Sequence, residues 1–413
     1  MSALLLHPYR ALFKLDGYPA IFGIRVTASI SAWIDFTLIF IVLIGQFQAT
    51  AFQLATASTL MWLPMLLLGP KAGSLADHYP AQRILFSALA IRGASVLLLL
   101  VAPTVELFLM AVLLRALGNL GTSPLPLAVR HIVPNALLSD SLRLSVSVEQ
   151  GTRLVAPMVG GVVGFFPAPQ QGFVLSAVLT LFSLPFPARL GRVMARFATP
   201  APKAPTPTPT PTDNALSPWR VLMRSPQLSV TLWTSVVYCF AIGFLEPLIP
   251  ILLTTVPEGA KSYGFVMGMT SAGALAGAHY APRLHTSLGA APLMRGCLIG
   301  TGLATAAASG IVLTGIGVSG WGIGIYWMLT GALYAVMLTC LGLAIQIHAP
   351  TERIGAVSAK LQNTRLMALV AGPLLGGAAA TYLGVGVGLA CAAGFAVISA
   401  IVLKIWAARR DMN

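Results

Sequence analysis

A chain of 413 residues that is 57% hydrophobic and only 9% charged, with a mean hydropathy of +0.85, cannot clothe a globular surface, which usually needs about 25% charged residues. That excludes an ordinary soluble domain. The formal net charge of +14 raises the question of nucleic acid, but most Lys and Arg residues fall in alternate loops between long apolar runs, a positive-inside arrangement and not a contiguous basic patch.

At roughly 20 apolar residues per span, the length allows about a dozen membrane helices with short connections. The runs are long and continuous, unlike the short alternating segments of a membrane β-barrel. The opening MSALLLHPYRALFKLDG lacks the layout of a signal peptide, and Arg10 and Lys14 read as the cytoplasmic flank of the first span. Spans are predicted near residues 20–46, 50–69, 83–103, 105–127, 141–165, 172–189, 227–253, 263–281, 292–313, 321–346, 355–381 and 385–405. With the N-terminus inside, the cytoplasmic loops carry basic residues from Lys71 through Arg353 and the C-terminal Lys404, Arg409 and Arg410 also fall inside, whereas the opposite loops carry only Lys261. The expected class is therefore an all-α, twelve-helix membrane protein with both termini cytoplasmic.

Between the sixth and seventh spans, the Pro-Thr alternation from Pro205 to Thr212 predicts extended, polyproline-like chain. This gives an N-terminal six-helix half (1–190), a cytoplasmic linker (191–226) and a C-terminal six-helix half (227–413). The halves share a phrase. Pro157, Gly160 and Gly161 recur as Pro373, Gly376 and Gly377, and Pro134 recurs as Pro350, in each case 216 positions on (157 to 373, 134 to 350). Two duplicated halves in parallel topology are expected, with a cavity at their interface. The cysteines Cys239, Cys297, Cys340 and Cys391 lie in apolar segments and form no CxxC, so neither a disulfide framework nor a zinc site is indicated.

A charge near the bilayer centre costs at least about 2.5–3.5 kcal/mol, so ionisable residues within spans mark candidate sites. Of the acids, Asp35, Glu149 and Glu246 fall well inside spans. Asp35 (in SAWIDFTLIF) and Glu246 (in GFLEPLIPILL) occupy counterpart spans, and each can carry a proton or meet a cationic substrate group. The plainer alternative is a protonated acid bonding a neighbouring helix. Glu149 and Arg153 have the spacing and order of a helical ion pair, which would be structural or a gate. Among the basic residues, Arg25 lies near a helix end and can snorkel. Arg92, Arg115 and Arg365 lie deeper, and too few acids accompany them to pair them all. Surplus internal positive charge suits an anionic or polyhydroxylated substrate. Histidines sit at or beside cytoplasmic ends and point to nothing.

Residues 73–85, GSLADHYPAQRIL, resemble the signature between the second and third helices of the major facilitator superfamily. Gly73, Leu75, Ala76, Asp77, Arg83 and Leu85 match, while His78 and Pro80 depart from the pattern. In that family the cluster latches the outward-facing state, which implies a conformational latch of Gly73, Asp77 and Arg83. LLRALGNLG resembles the fourth-helix motif, with Arg115 matching and Asn119 in place of a glycine. VAPMVGG resembles the fifth-helix motif associated with antiporters, with Ala156 in place of a glycine that the copy AGPLLGG retains. RHIVPNALLSDSLRL followed by PxxGG is similar to the branch containing macrolide efflux and enterobactin-type siderophore exporters.

The resemblance implies a secondary transporter of the bacterial inner membrane: a proton-coupled exporter of a siderophore or other small amphiphilic or anionic metabolite, working by alternating access. Asp35 or Glu246 would cycle the proton, with Arg115 and Arg92 meeting the substrate. The proton gradient replaces any cofactor; no metal, no nucleic acid and a monomer are expected. Multidrug or macrolide efflux, lysophospholipid flipping, uptake and a non-transporting receptor are the alternatives. No nucleotide loop, metal cluster or nucleophile with a base indicates an enzyme.

Overall fold

The computed structural model describes residues 9–163, 168–197, 217–256, 259, 262–350 and 354–411; the Pro-Thr run lies outside them. Among the described residues there are helices and turns and no strands. Long helical stretches occupy all the predicted places. They are α1 (Tyr18–Gly45), α2 (Ala51–His78), α3 (Ala81–Val101), α4 (Val105–Asn119, prolonged by Leu125–Ile132), α5 (Leu138–Val163) and α6 (Phe173–Ser183, prolonged by Pro185–Phe197). Then follow α7 (Pro226–Leu245, prolonged by Leu248–Leu253), α8 (Ser262–Leu288), α9 (Ala290–Leu313), α10 (Gly320–His348), α11 (Ile354–Leu383) and α12 (Val385–Asp411).

Among the described residues, 10 helices are long and apolar enough to cross a membrane. The remaining two are α5 and α8, at 26 and 27 residues. Their length suffices for a bilayer at about 1.5 Å per residue. Composition is what sets them apart: α5 carries Asp140, Arg143, Glu149 and Arg153, and α8 is built largely from Gly, Ala, Ser, Thr and His. Elsewhere large apolar side chains such as Leu97, Val101, Leu181, Ile398 and Ile401 stay exposed, which suits a protein whose solvent is lipid.

Helix starts follow local chemistry. Ser225 accepts a hydrogen bond from the Leu228 N–H at 3.3 Å with Pro226 in the first turn of α7, and Ser319 accepts from Gly322 N–H at 3.1 Å at the start of α10. Interruptions follow proline, which lacks the N–H that continues a helix. The sixth stretch breaks at Leu184, before Pro185, and the seventh at Glu246–Pro247.

The chain divides into two compact units: Met1–Ile39 with Leu63–Thr210, and Phe40–Trp62 with Pro211–Asn413. In the first, Leu12, Ile21, Leu125, Leu144 and Leu190 form a buried cluster, and the Tyr18 hydroxyl donates to Ser141 Oγ at 3.2 Å. α5 lies along α1: Ser29 and Thr152 share a hydrogen bond of 2.5 Å, and a Cβ on Gly160 would stand 3.1 Å from the Ile34 carbonyl oxygen.

In the second unit the repeated motif does the corresponding job. A Cβ on Gly372 would lie 2.7 Å from the Phe244 backbone nitrogen, and one on Gly376 would strike the Phe244 carbonyl oxygen, so α11 packs on α7. Its neighbour Gly377 receives α2 at Ala51 and Ala55, and Thr59 donates to the Val370 carbonyl at 3.4 Å. Phe40 and Tyr263 place their rings 5.3 Å apart. The closest helix pair is α8 with α10. Gly273 and Gly277 of α8 face the backbone of Met328 and Ala332, and Gly331 of α10 faces the backbone of Thr270. Small residues four apart on one face let two backbones touch, the packing that lipid-embedded helices depend on.

Candidate functional site

Three charged side chains are buried among the described residues, Asp35, Arg92 and Arg115, and all belong to the first unit. Asp35, on α1, is 1% exposed. A carboxylate taken that far from water must be neutralised or richly hydrogen-bonded. Arg115 of α4 supplies the charge, its Nε standing 2.5 Å from Asp35 Oδ2. Ser31, one turn before Asp35, donates to the same oxygen at 3.4 Å, and Ser176 of α6 donates to Oδ1.

Arg115 uses the rest of its fork as well. Nη2 donates to Ser31 Oγ at 2.8 Å, and Nη1 donates to Asn119 Oδ1 at 2.9 Å. The planar guanidinium therefore ties α4 to α1 through Asp35 and Ser31, and Asp35 passes the link on to Ser176 of α6, a task for which the point charge of lysine is poorly shaped. Arg115→Lys keeps the charge but cannot reach Asp35, Ser31 and Asn119 together. Two lost hydrogen bonds at about 1 kcal/mol each predict a variant about 2 kcal/mol less stable, measurable by thermal unfolding in detergent.

Arg92, on α3, is 5% exposed, and its Nε has no hydrogen-bond partner among the described residues. Its stem lies against Gly118 of α4, where a Cβ would come within 2.5 Å of Arg92 Cγ. Arg153 stacks over the ring of Trp33 at 5.0 Å, a cation–π contact, while Glu149, one turn earlier, is exposed.

In the second unit Glu246 is half-buried at the break of α7, its N–H bonded to the Ile242 carbonyl at 3.0 Å, and its charge reaches Tyr263. Arg365 of α11 donates from Nε to the Cys239 sulfur at 3.3 Å and also bonds Tyr334; among the described residues no carboxylate lies within ion-pair reach of it. All four cysteines are free thiols. Of the expected latch, α2 runs unbroken to His78 and α3 begins after Pro80, with Arg83 exposed. The surroundings of Gly73 and the side chain of Asp77 lie outside what is described.

The sequence placed Asp35 and Arg115 inside spans without joining them, and it passed over Ser31 and Ser176. Ser31 carried a readable signal, since it stands four residues from Asp35 on the same helical face; Asn119 stands likewise to Arg115. Ser176 carried none.

The Major Facilitator Superfamily model matches residues 21–373. The chain is 25% identical to the uncharacterized MFS-type transporter YfiS of Bacillus subtilis (strain 168), with 95% of each chain covered. It shares its fold with the nucleoside transporter NupG at a TM-score of 0.71 and 12% identity, over 94% of this chain and 98% of that one. A bacterial homologue of the iron transporter ferroportin, in an inward-facing state, superposes with a TM-score of 0.69 at 18% identity, over 94% of this chain and 97% of that one. A POT family transporter in complex with a thioalcohol-conjugated peptide gives 0.71 at 10% identity, over 95% and 96%. At such identities the likeness is one of fold.

Proposed function

Because the chain belongs to the Major Facilitator Superfamily, and so is a multi-pass membrane transporter of a small molecule and not an enzyme, we propose that it is a proton-coupled exporter of the bacterial inner membrane. Its termini are cytoplasmic in this reading, and it works by alternating access. The observation that carries the proposal is the Asp35 carboxylate, which is buried, accepts from Arg115, Ser31 and Ser176, and so stands as a single acceptor that a proton or a substrate donor can claim.

Exchange requires that proton and substrate exclude each other. A proton on Asp35 occupies one oxygen and removes the charge that would attract a hydroxyl or ammonium group. A substrate donor at the same oxygens opposes protonation. Mutual exclusion at one carboxylate couples inward proton flow to outward substrate flow. Arg115, when Asp35 is engaged, supplies positive charge for the oxygen-rich face of the substrate. A small amphiphile bearing both hydroxyl and acidic groups, as siderophores do, has this chemistry.

The direct Arg115–Asp35 contact favours a second reading. Protonation of Asp35 takes away the counter-ion of Arg115, which can then hold an anion. Proton and anion would bind together, which is cotransport, and the protein would be an uptake permease. The deciding experiment compares metabolites in medium and cytoplasm of a deletion strain and its parent, with and without iron. A chelator that accumulates inside the mutant and vanishes from its medium is the expected result. If no secreted metabolite changes, the export of a siderophore is wrong, and drug efflux or lipid transport takes its place. If instead a solute fails to enter the mutant, uptake does.

A further inference from the structure

The charge balance of the first unit does not close. Asp35 and Arg115 cancel, and Arg92 remains as a buried cation with an unpartnered Nε. The charged groups whose fields reach it are Arg115, of the same sign, and Asp35, which is already paired with Arg115. An uncompensated buried guanidinium costs several kcal/mol unless something else supplies negative charge.

Beside it is a cavity of about 20 Å³, lined by Thr27 of α1, Leu89 and Arg92 of α3, Gly118 and Thr122 at the end of α4, and Ser183 of α6. The three hydroxyls donate to carbonyls of their own helices: Thr27 to Gly23 at 2.8 Å, Thr122 to Asn119 at 3.2 Å and Ser183 to Thr180 at 2.7 Å. These bonds are local and cheap. Each hydroxyl can turn its proton into the cavity at a net cost of about 1 kcal/mol, because a hydroxyl rotor is free to choose its acceptor. The cavity thus offers one fixed cationic donor and three adjustable ones.

Its size restricts the occupant. About 10–15 Å³ is the least that holds a water, so 20 Å³ has room for one atom of that scale and suits a monatomic anion better than a carboxylate, phosphate or sulfate. Gly118 contributes here too: a Cβ at this position would press on the Arg92 stem, 2.5 Å from Cγ, and move the guanidinium.

We propose that this cavity is a halide site, in which one chloride-sized anion bonds Arg92 Nε and the Thr27, Thr122 and Ser183 hydroxyls and closes the charge balance of the first unit. The site is distinct from the Asp35–Arg115 network and holds whichever way the transporter runs. A bound water also fits the volume, but it brings no charge, so the two occupants are separable by experiment.

The test uses the purified full-length protein in detergent, melted at constant ionic strength while sodium gluconate is replaced by sodium chloride or bromide. The expected result is a saturable rise in melting temperature of a few degrees with either halide, as binding to the folded state requires. That rise is absent in Arg92→Gln and retained in part in Arg92→Lys. Crystals of the wild-type protein grown in sodium bromide should show an anomalous peak within hydrogen-bonding distance of Arg92 Nε. Equal melting in gluconate and halide overturns the proposal, as does a halide effect undiminished in Arg92→Gln, or density at the site without anomalous signal. Should Arg92→Gln fail to fold, the wild-type bromide map decides alone.

Discussion

Asp35→Asn brings proton-driven transport down to background in reconstituted vesicles while the protein still folds. The substitution is nearly isosteric, and the amide oxygen can go on accepting from Ser176 or Arg115, so the network loses its charge but keeps its shape. What remains is a buried arginine without its counter-ion. Removing one partner of a buried pair costs about 3–5 kcal/mol, and the retained acceptor puts this variant at the lower end. Stability and transport then come apart in the double variant. Asp35→Asn with Arg115→Gln removes both charges and restores much of the lost stability, because no isolated charge is left. If Asp35 carries the proton, flux stays at background in the double variant although its melting temperature recovers. Flux that recovers with stability would mean that the pair only holds α1, α4 and α6 together, and would strike Asp35 from the coupling role.

The second large effect is predicted on α8 and α10, which carry no buried charge among the described residues. Gly331→Val drives a side chain into the Thr270 backbone of α8, and Gly277→Val drives one into the Ala332 backbone of α10. Backbone inside a helix cannot step aside as a side chain can, so the helices must part, at a cost of about 3 kcal/mol or more per site. Each variant should give a sharp loss of folded yield and of melting temperature. Gly296→Ala and Gly310→Ala, on α9, are the controls: a Cβ there meets nothing within 4 Å. Alanine in place of an unencumbered helical glycine should be neutral or stabilise by about 0.5–1 kcal/mol. A neutral Gly331→Val would show that α8 and α10 do not need their close approach.

The positions of the helices were legible because an apolar run in a membrane has to be a helix about as long as the run. α3 was expected at 83–103 and occupies Ala81–Val101; α9 was expected at 292–313 and occupies Ala290–Leu313. Subdivision was missed: the spans expected unbroken at 172–189 and 227–253 are interrupted before Pro185 and at Glu246–Pro247. The repeated Pro-x-x-Gly-Gly was also legible in effect: Gly160 and Gly376, 216 positions apart (160 to 376), each admit the backbone of the first helix of their own half, at Ile34 and Phe244. The Gly-Ala-Leu-Ala-Gly of residues 273–277 is a small-residue repeat of the kind that permits close packing, and it carries close backbone contacts with α10.

The candidate site was half legible. Cost alone brings forward Asp35, Arg92 and Arg115, but Glu149, Arg153, Glu246 and Arg365 with them, since any charge within a span needs a reason. Pairing is another matter. Asp35 and Arg115 are 80 residues apart, and nothing local says that the guanidinium of one reaches the carboxylate of the other and not Glu149 or Glu246. The division of α1 and α2, whose facing ends Phe40–Trp62 belong to the second unit, is equally a matter of tertiary contact. Periodicity cannot carry that information, because these helices are apolar on nearly every face.

The composition of α8 bears on how the chain is made. A helix of Gly, Ala, Ser, Thr and His gains little from leaving the translocon for lipid, where insertion is set largely by the sum of side-chain transfer energies. What holds it is backbone contact with α10, which lies later in the chain and has not been synthesised when α8 leaves the ribosome. During that interval α8 has neither a strong preference for the bilayer nor its partner, and the hairpin of α9 and α10 must arrive to draw it in. The entry of α8 into the membrane therefore depends on helices that the ribosome makes after it.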